Sequence, residues 1–297
     1  MRRYYKETLG SRAFDVFNVV LMFLFMLTII FPFWNQLCIS FSDVSTHPVS
    51  NITLLPLGFN TESYQKVFSD ARILKVSSVS FMRVIVGTLG TLLCTGLLAY
   101  ITTIEWFSGR KLLRRGFLFT MYISAGLIPT YLAYISIGLY NNFWVYIIPG
   151  LFSANYMLII ASYISNLPTA LFEAACIDGA SELKIYFLVV LPISVPVFAA
   201  IAVYCAVDQW NSWFDTTIYA PNGQWDTLQI YLRRVLLEIE ALSMIEDSSK
   251  ALSKFKTLTP QSIRAATTII VTVPIVCVYP FLQRYFLTGI TIGAVKG

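Results

Sequence analysis

Side chains able to do chemistry are few and scattered in this sequence. Its single histidine, His47, cannot assemble a metal site alone, and its five cysteines (Cys38, Cys94, Cys176, Cys205 and Cys277) show neither metal-ligand spacing nor a disulfide framework. No Ser/His/Asp, Cys/His or paired-carboxylate constellation points to catalysis, and no GxxxxGK[ST] loop is present to cradle nucleotide phosphates. Two short stretches remain. FEAACIDGASELKIYF, Phe172–Phe187, breaks into a charge-free background: the 56 residues from Gly116 to Leu171 hold no Asp, Glu, Lys or Arg, and neither does Leu188–Val207. DQWNSWFD, Asp208–Asp215, ends that second run with the carboxylates Asp208 and Asp215, the amide of Asn211 and the indoles Trp210 and Trp213, one turn after Tyr204.

The background that positions these stretches belongs in lipid. The chain has 297 residues, 57% hydrophobic and 12% charged, with a mean hydropathy of +0.68, against roughly one-quarter charged in soluble domains. Crossing ~30 Å of hydrocarbon takes ~20 residues. Uncharged runs of that length are Val16–Ser42, Val84–Ile104, the double-length Gly116–Leu171, Ile185–Val207 and Ala265–Gln283. The double run must fold back, and GLYNNFW, Gly138–Trp144, supplies turn-forming Gly and Asn. The expected fold is all-α: one transmembrane domain, residues 1–297, with six spans near 16–40, 81–104, 116–138, 143–166, 186–208 and 263–284. The first apolar run exceeds a signal-peptide core, so that span is expected to be retained.

Positive charge orients the spans. With the N-terminus inside, Arg2, Arg3, Lys6, Arg12, Arg110, Lys111, Arg114, Arg115, Lys184, Arg284 and Lys296 fall in the cytoplasm. Six of the remaining ten basic residues lie in one long loop, Asp208–Arg264, and long loops are translocated with little regard to charge. Both termini are therefore expected in the cytoplasm, with outer loops at 43–80 and 209–262 and a cytoplasmic loop at 167–185. The basic residues flank spans and form no stripe, which excludes nucleic-acid binding.

On this topology FEAACIDGASELKIYF is cytoplasmic. Pro168 opens a helix, Gly179 can close it in a left-handed conformation, and Ser181 can cap a second helix. Such an elbow, with Glu173 and Asp178 outward and Ala174, Ala175 and Ala180 permitting close approach, suits a groove on another protein. An ordinary solvated loop is the competing reading. At the outer end of the fifth span, Tyr204, Asp208, Trp210, Asn211, Trp213 and Asp215 combine aromatic faces with polar groups, as sugar recognition requires. An interfacial aromatic belt accounts for the aromatics alone. Asn155 and Tyr156 in the fourth span are weaker candidates for the same path, with packing as the alternative.

The spacing Glu173-Ala174-Ala175, three residues, Gly179, with Leu191-Pro192 downstream, resembles the EAA loop of ATP-binding-cassette importer permeases. GLIPTYL (Gly126–Leu132), LPISVP, WNSWFD, LQIYLRR (Leu228–Arg234) and the tail VYPFLQRYFLTGITIGAVKG (Val278–Gly297) extend the likeness to its carbohydrate-uptake, maltose-permease-type branch, most similar to the LplC/YtcP-like members. Cys176, where members often carry Arg, and Lys184, where a smaller or acidic residue is common, depart from the pattern. The resemblance implies a permease subunit of an oligosaccharide importer in the bacterial cytoplasmic membrane. Its coupling helix would comprise Glu173, Ala174, Ala175, Asp178, Gly179, Ala180 and Ser181, and Gly293, Lys296 and Gly297 of the tail would also approach the ATPase. Implied partners are a second permease chain, two ATPase subunits that hold ATP and Mg, and an extracellular solute-binding protein. This chain itself would bind no cofactor or metal and would be no enzyme. The sugar is left open between neutral and acidic, derived from plant or algal polysaccharide. A secondary transporter, expected to carry mid-span carboxylates or inverted repeats, and a non-transport scaffold are the alternatives.

Overall fold

The computed structural model describes residues 9–243 and 261–277, and every regular element among them is helical. In chain order these are α1 (Leu9–Ser40), α2 (Glu62–Ser69), α3 (Arg72–Thr103), α4 (Arg110–Tyr122), α5 (Leu127–Ser136), α6 (Ala154–Ile164), α7 (Thr169–Ile177), α8 (Glu182–Ile185), α9 (Leu191–Ile193), α10 (Val195–Asn211), α11 (Phe214–Tyr219), α12 (Leu228–Ser243) and α13 (Gln261–Cys277). They belong to two compact units, residues 1–70 with 235–272, and residues 71–234 with 273–297.

In the first unit α1 is apolar on all sides and exposes large side chains from Phe14 to Trp34, the pattern of a helix whose solvent is lipid. Past its end the chain folds back: Asn35 Nδ2 donates to the Ile52 carbonyl at 2.8 Å, Trp34 Nε1 donates to that of Leu54 at 2.9 Å, and Cys38, Ile39, Ile52 and Ala265 form a small core. Asn60 Oδ1 accepts the Glu62 N–H at 2.7 Å and so caps α2, while Thr61 makes no side-chain cap.

The second unit is organised along α3, against which α10 and α6 pack. Leu98, Tyr100, Met157, Ile160, Tyr186, Phe198 and Ile201 lie in its main core, with Ala99 and Ala161 keeping the helices close. The helix is longer than the uncharged run that signals it, because its first turns carry Arg72, Lys75 and Arg83. At 32 residues it spans about 48 Å at ~1.5 Å per residue.

The 56-residue uncharged run is divided into several shorter segments. Gly126, at φ +84°, separates α4 from α5, and Gly138 and Asn141, at φ +75° and +54°, turn the chain. Short 3-10 turns over Phe143–Tyr146 and Ile148–Gly150 then lead into α6 across a 44° bend. A π-helical turn at Tyr186–Val190 joins α8 to α9, and an 81° bend at Ser194 precedes α10. Pro192 and Pro196 flank that bend and withhold two backbone donors. Two described helices, Gly10–Ser40 within α1 and α3, are long and apolar enough to cross a membrane singly, and each bent pair becomes so if taken as one span.

Candidate functional site

Two features of the second unit collect the residues singled out by sequence. The first is the elbow. Pro168 precedes α7, and at its other end the Gly179 N–H bonds to the Cys176 carbonyl and the Ala180 N–H to that of Ala175, both at 3.0 Å. This double bond pattern is the Schellman closure, and it needs Gly179 at φ +72°. Ser181 occupies the N-cap position of α8 without a side-chain cap bond. Glu173, Ala174, Asp178 and Ser181 are exposed and Ala175 and Ala180 half-buried, while the apolar Ile177 and Leu183 project at 86% and 63% exposure. Phe172, Ala175 and Ala180 seat the elbow on the main core. Glu182 ties it to α3: one carboxylate oxygen accepts from Tyr100 Oη and the other from Trp106 Nε1 at 3.0 Å. A cavity of about 320 Å³ lies beside α7, with Glu105, Trp106, Glu173 and Glu182 in its lining.

The second feature is a larger cavity, about 490 Å³, walled by α3, the 3-10 turns, the start of α6, α10 and α11. Its floor is a buried ion pair. Arg83, 3% exposed, makes a two-pronged contact with Asp215, in which Nη1 stands 3.1 Å from Oδ1 and Nη2 contacts Oδ2. Arg83 Nε donates to Gln209 Oε1 at 2.8 Å, and the guanidinium lies 4.4 Å from the centre of the Tyr146 ring. Asp215 also accepts from Ser212 Oγ and the Thr216 N–H, at 3.0 and 2.8 Å. Higher on the wall Tyr156 Oη donates to Asp208 Oδ2 at 2.9 Å.

The irregular backbone between the 3-10 turns and α6 borders this cavity. Carbonyl groups freed by a broken helix need donors in a membrane, and such breaks persist where protein or a water-lined cavity satisfies them. Thr91 Oγ1 donates to the Gly150 carbonyl and Thr95 Oγ1 to that of Leu151, each at 2.9 Å, and Gln209 Nε2 reaches the Tyr146 carbonyl at 3.2 Å. Gly87 makes room for that glutamine: a Cβ there would stand 2.7 Å from its amide nitrogen.

Of the eight residues expected on the path, Asp208, Asp215, Asn155 and Tyr156 line the cavity. The other four do not. Trp210 is buried edge-on against Phe81, Trp213 lies under the Arg233 guanidinium at 3.5 Å, Asn211 Oδ1 accepts from Gln229 at 3.4 Å, and Tyr204 is exposed elsewhere on α10. Gly293, Lys296 and Gly297 lie outside the described residues. Arg83, Gln209 and Thr91 went unmarked by sequence reasoning. Arg83 had a signal, being a lone cation at the edge of an apolar run, which needs a counter-charge such as the Asp of DQWNSWFD. Among the described residues no group of three or more His, Cys, Asp or Glu is gathered as for a metal ion.

No family model matches the chain. Its sequence is 31% identical to the polygalacturonan/rhamnogalacturonan transport system permease protein YtcP of Bacillus subtilis (strain 168), covering 97% of this chain and 99% of that one. It is 34% identical to protein LplC of the same organism, covering 98% and 97%. It also matches a chain in the crystal structure of a bacterial ABC transporter involved in the import of the acidic polysaccharide alginate, with a TM-score of 0.85 and 25% identity over 95% of this chain and 99% of that one. Likeness this strong from end to end means that the chain, a membrane protein, belongs to the family of sugar ABC transport system permeases.

Proposed function

We propose that this chain forms one half of the translocation path of an ATP-driven importer for an oligosaccharide released from plant or algal polysaccharide. Its relatives' substrates support that class: one is named for polygalacturonan and rhamnogalacturonan, another for alginate. The chain takes six spans in the bacterial cytoplasmic membrane with both termini in the cytoplasm, each bent pair and the α4–α5 segment serving as one span. A second permease chain completes the path and a solute-binding protein delivers sugar from outside. Of two ATPase subunits, which hold the ATP and Mg, one receives the elbow through Glu173, Ala174, Ala175, Asp178, Gly179, Ala180 and Ser181, and the tail residues Gly293, Lys296 and Gly297 approach the pair. The chain is not itself an enzyme.

The observation that carries this reading is the disposition of elbow and cavity on one rod. Tyr100, which holds the elbow through Glu182, and Arg83, which floors the cavity, stand 17 residues apart on α3, about 25 Å at 1.5 Å per residue. A force applied at the elbow thus reaches the cavity through a single continuous helix, stiffened by α10 alongside it. Exposed Ile177 and Leu183 give a docking partner apolar area to bury, at about 25 cal/mol per Å². The test is copurification and turnover. The native chain should bring down its ATPase, and loaded binding protein should stimulate hydrolysis; Glu173→Lys or Gly179→Pro should insert normally yet abolish the stimulation. Undiminished stimulation in both variants, or modification of Cys176 by an impermeant maleimide applied only outside sealed cells, would defeat the proposal.

A further inference from the structure

We infer that Asp208 makes this subunit's half of the path favour uncharged sugar residues over uronates. The inference rests on the cavity being part of the path. Three of its lining side chains are basic or acidic, Arg83, Asp208 and Asp215, so one guanidinium faces two carboxylates. The cation does not serve a ligand: Arg83 is 3% exposed and engaged by Asp215, Gln209 and the Ser212 carbonyl. A saccharide carboxylate entering here meets no accessible guanidinium or ammonium among the described lining residues.

Asp208 is differently placed. It is exposed to the cavity, Oδ2 receives the Tyr156 hydroxyl, and Oδ1 has no protein donor among the described residues. An ionised carboxylate only accepts hydrogen bonds. It therefore suits the vicinal hydroxyls of a neutral ring, each able to donate, and opposes a second carboxylate. The apolar walls at Val145, Pro149 and the Tyr219 ring, of low dielectric, focus that field.

Trigalacturonate and its fully methyl-esterified form share one backbone and differ in charge, which makes them the probe pair. ATP-driven uptake of each is measured in proteoliposomes holding the whole transporter, with native chain or Asp208→Asn and the same binding protein. The receptor's own preference then cancels in the ratio of ratios. Asp208→Asn is expected to raise acid-to-ester uptake about fivefold or more, as follows from removing one like charge from a partly screened site, and Asp208→Glu should leave the ratio near the native one. Asp208→Ser, a second neutral replacement, serves if the asparagine variant does not assemble. A ratio unmoved by the neutral replacements overturns the inference while ATP-driven uptake leaves the importer reading standing. If neither form is taken up, both fall.

Discussion

Breaking the Arg83–Asp215 pair from either side should destabilise the second unit far more than removing both charges together. The guanidinium is 3% exposed and the carboxylate 22%, so Asp215→Asn strands a buried cation and Arg83→Met strands a carboxylate at the cavity floor. Loss of one partner of a buried pair costs about 3–5 kcal/mol. Asp215 borders the cavity and keeps its Ser212 and Thr216 donors, which puts Arg83→Met at the lower end, about 3 kcal/mol. Asp215→Asn should cost no less, since Arg83 has less access to water. The double variant leaves two neutral side chains of similar size, and replacing a whole buried pair is often close to neutral. With each single loss at about 3 kcal/mol or more and the double near zero, the double-mutant cycle should return a coupling of several kcal/mol, well above the ~0.5 kcal/mol within which independent sites add. At roughly 2–4 °C per kcal/mol for a unit of this size, a loss of about 3 kcal/mol should lower thermal unfolding of the purified complex by on the order of 6–12 °C in each single variant, with most of it recovered in the double. Additive losses, or a single variant as stable as the native chain, would refute the assignment of the pair as a mutually dependent buried unit.

Further outcomes follow from the same geometry. Gly179→Ala places a side chain at φ +72° with nothing within 4 Å of its Cβ, so strain of about 1–2 kcal/mol is the only penalty; assembly should persist while stimulated ATP hydrolysis drops, and Gly179→Pro, which also removes the bond to Cys176, should drop it further. Glu182→Ala removes the acceptor of Tyr100 and Trp106, and amide exchange over α7 should accelerate at least tenfold, the effect of about 1.4 kcal/mol in an opening equilibrium; unchanged protection would mean that the core contacts of Phe172 alone hold the elbow. Gly87→Val drives its Cβ into Gln209 and should cost about 1–3 kcal/mol by overpacking, read as a lower unfolding temperature and a loss of uptake.

How much of this was legible in the residues depends on the length scale of the signal. The elbow was, down to the left-handed Gly179, because its helix and glycine turn are local and the apolar background makes the charges conspicuous, although Ser181 stands at the N-cap of α8 without the expected cap bond. The helical nature of the long apolar segments was equally open. The fold-back at Gly138 and Asn141 was open too, but the partners of the broken backbone were not, since hydropathy averages over a window and cannot see that the carbonyl groups of Gly150 and Leu151 bond to threonines on another helix. The same blindness hid Gln209, a neutral residue whose importance comes from Arg83, 126 positions away, and from the Tyr146 carbonyl. DQWNSWFD reads in the sequence as one cluster, but helical rotation divides it: residues 208, 209, 212 and 215 face the cavity while Trp210 turns into the packing.

That division bears on how the unit can move. A continuous helix satisfies its own backbone and can tilt as a rigid body, but the wall from Tyr146 to Ser153 borrows donors from Thr91 and Thr95 on α3 and from Gln209 on α10. In a membrane no water stands ready to replace those donors unless the cavity supplies it. A displacement of α3 must then either carry the wall with it or expose the Gly150 and Leu151 carbonyls to the cavity. Both outcomes reshape the same space that Asp208, Tyr156 and the Arg83–Asp215 pair enclose. The hydrogen bonds that satisfy the broken helix are therefore the ones that bind the geometry of the cavity to the position of α3.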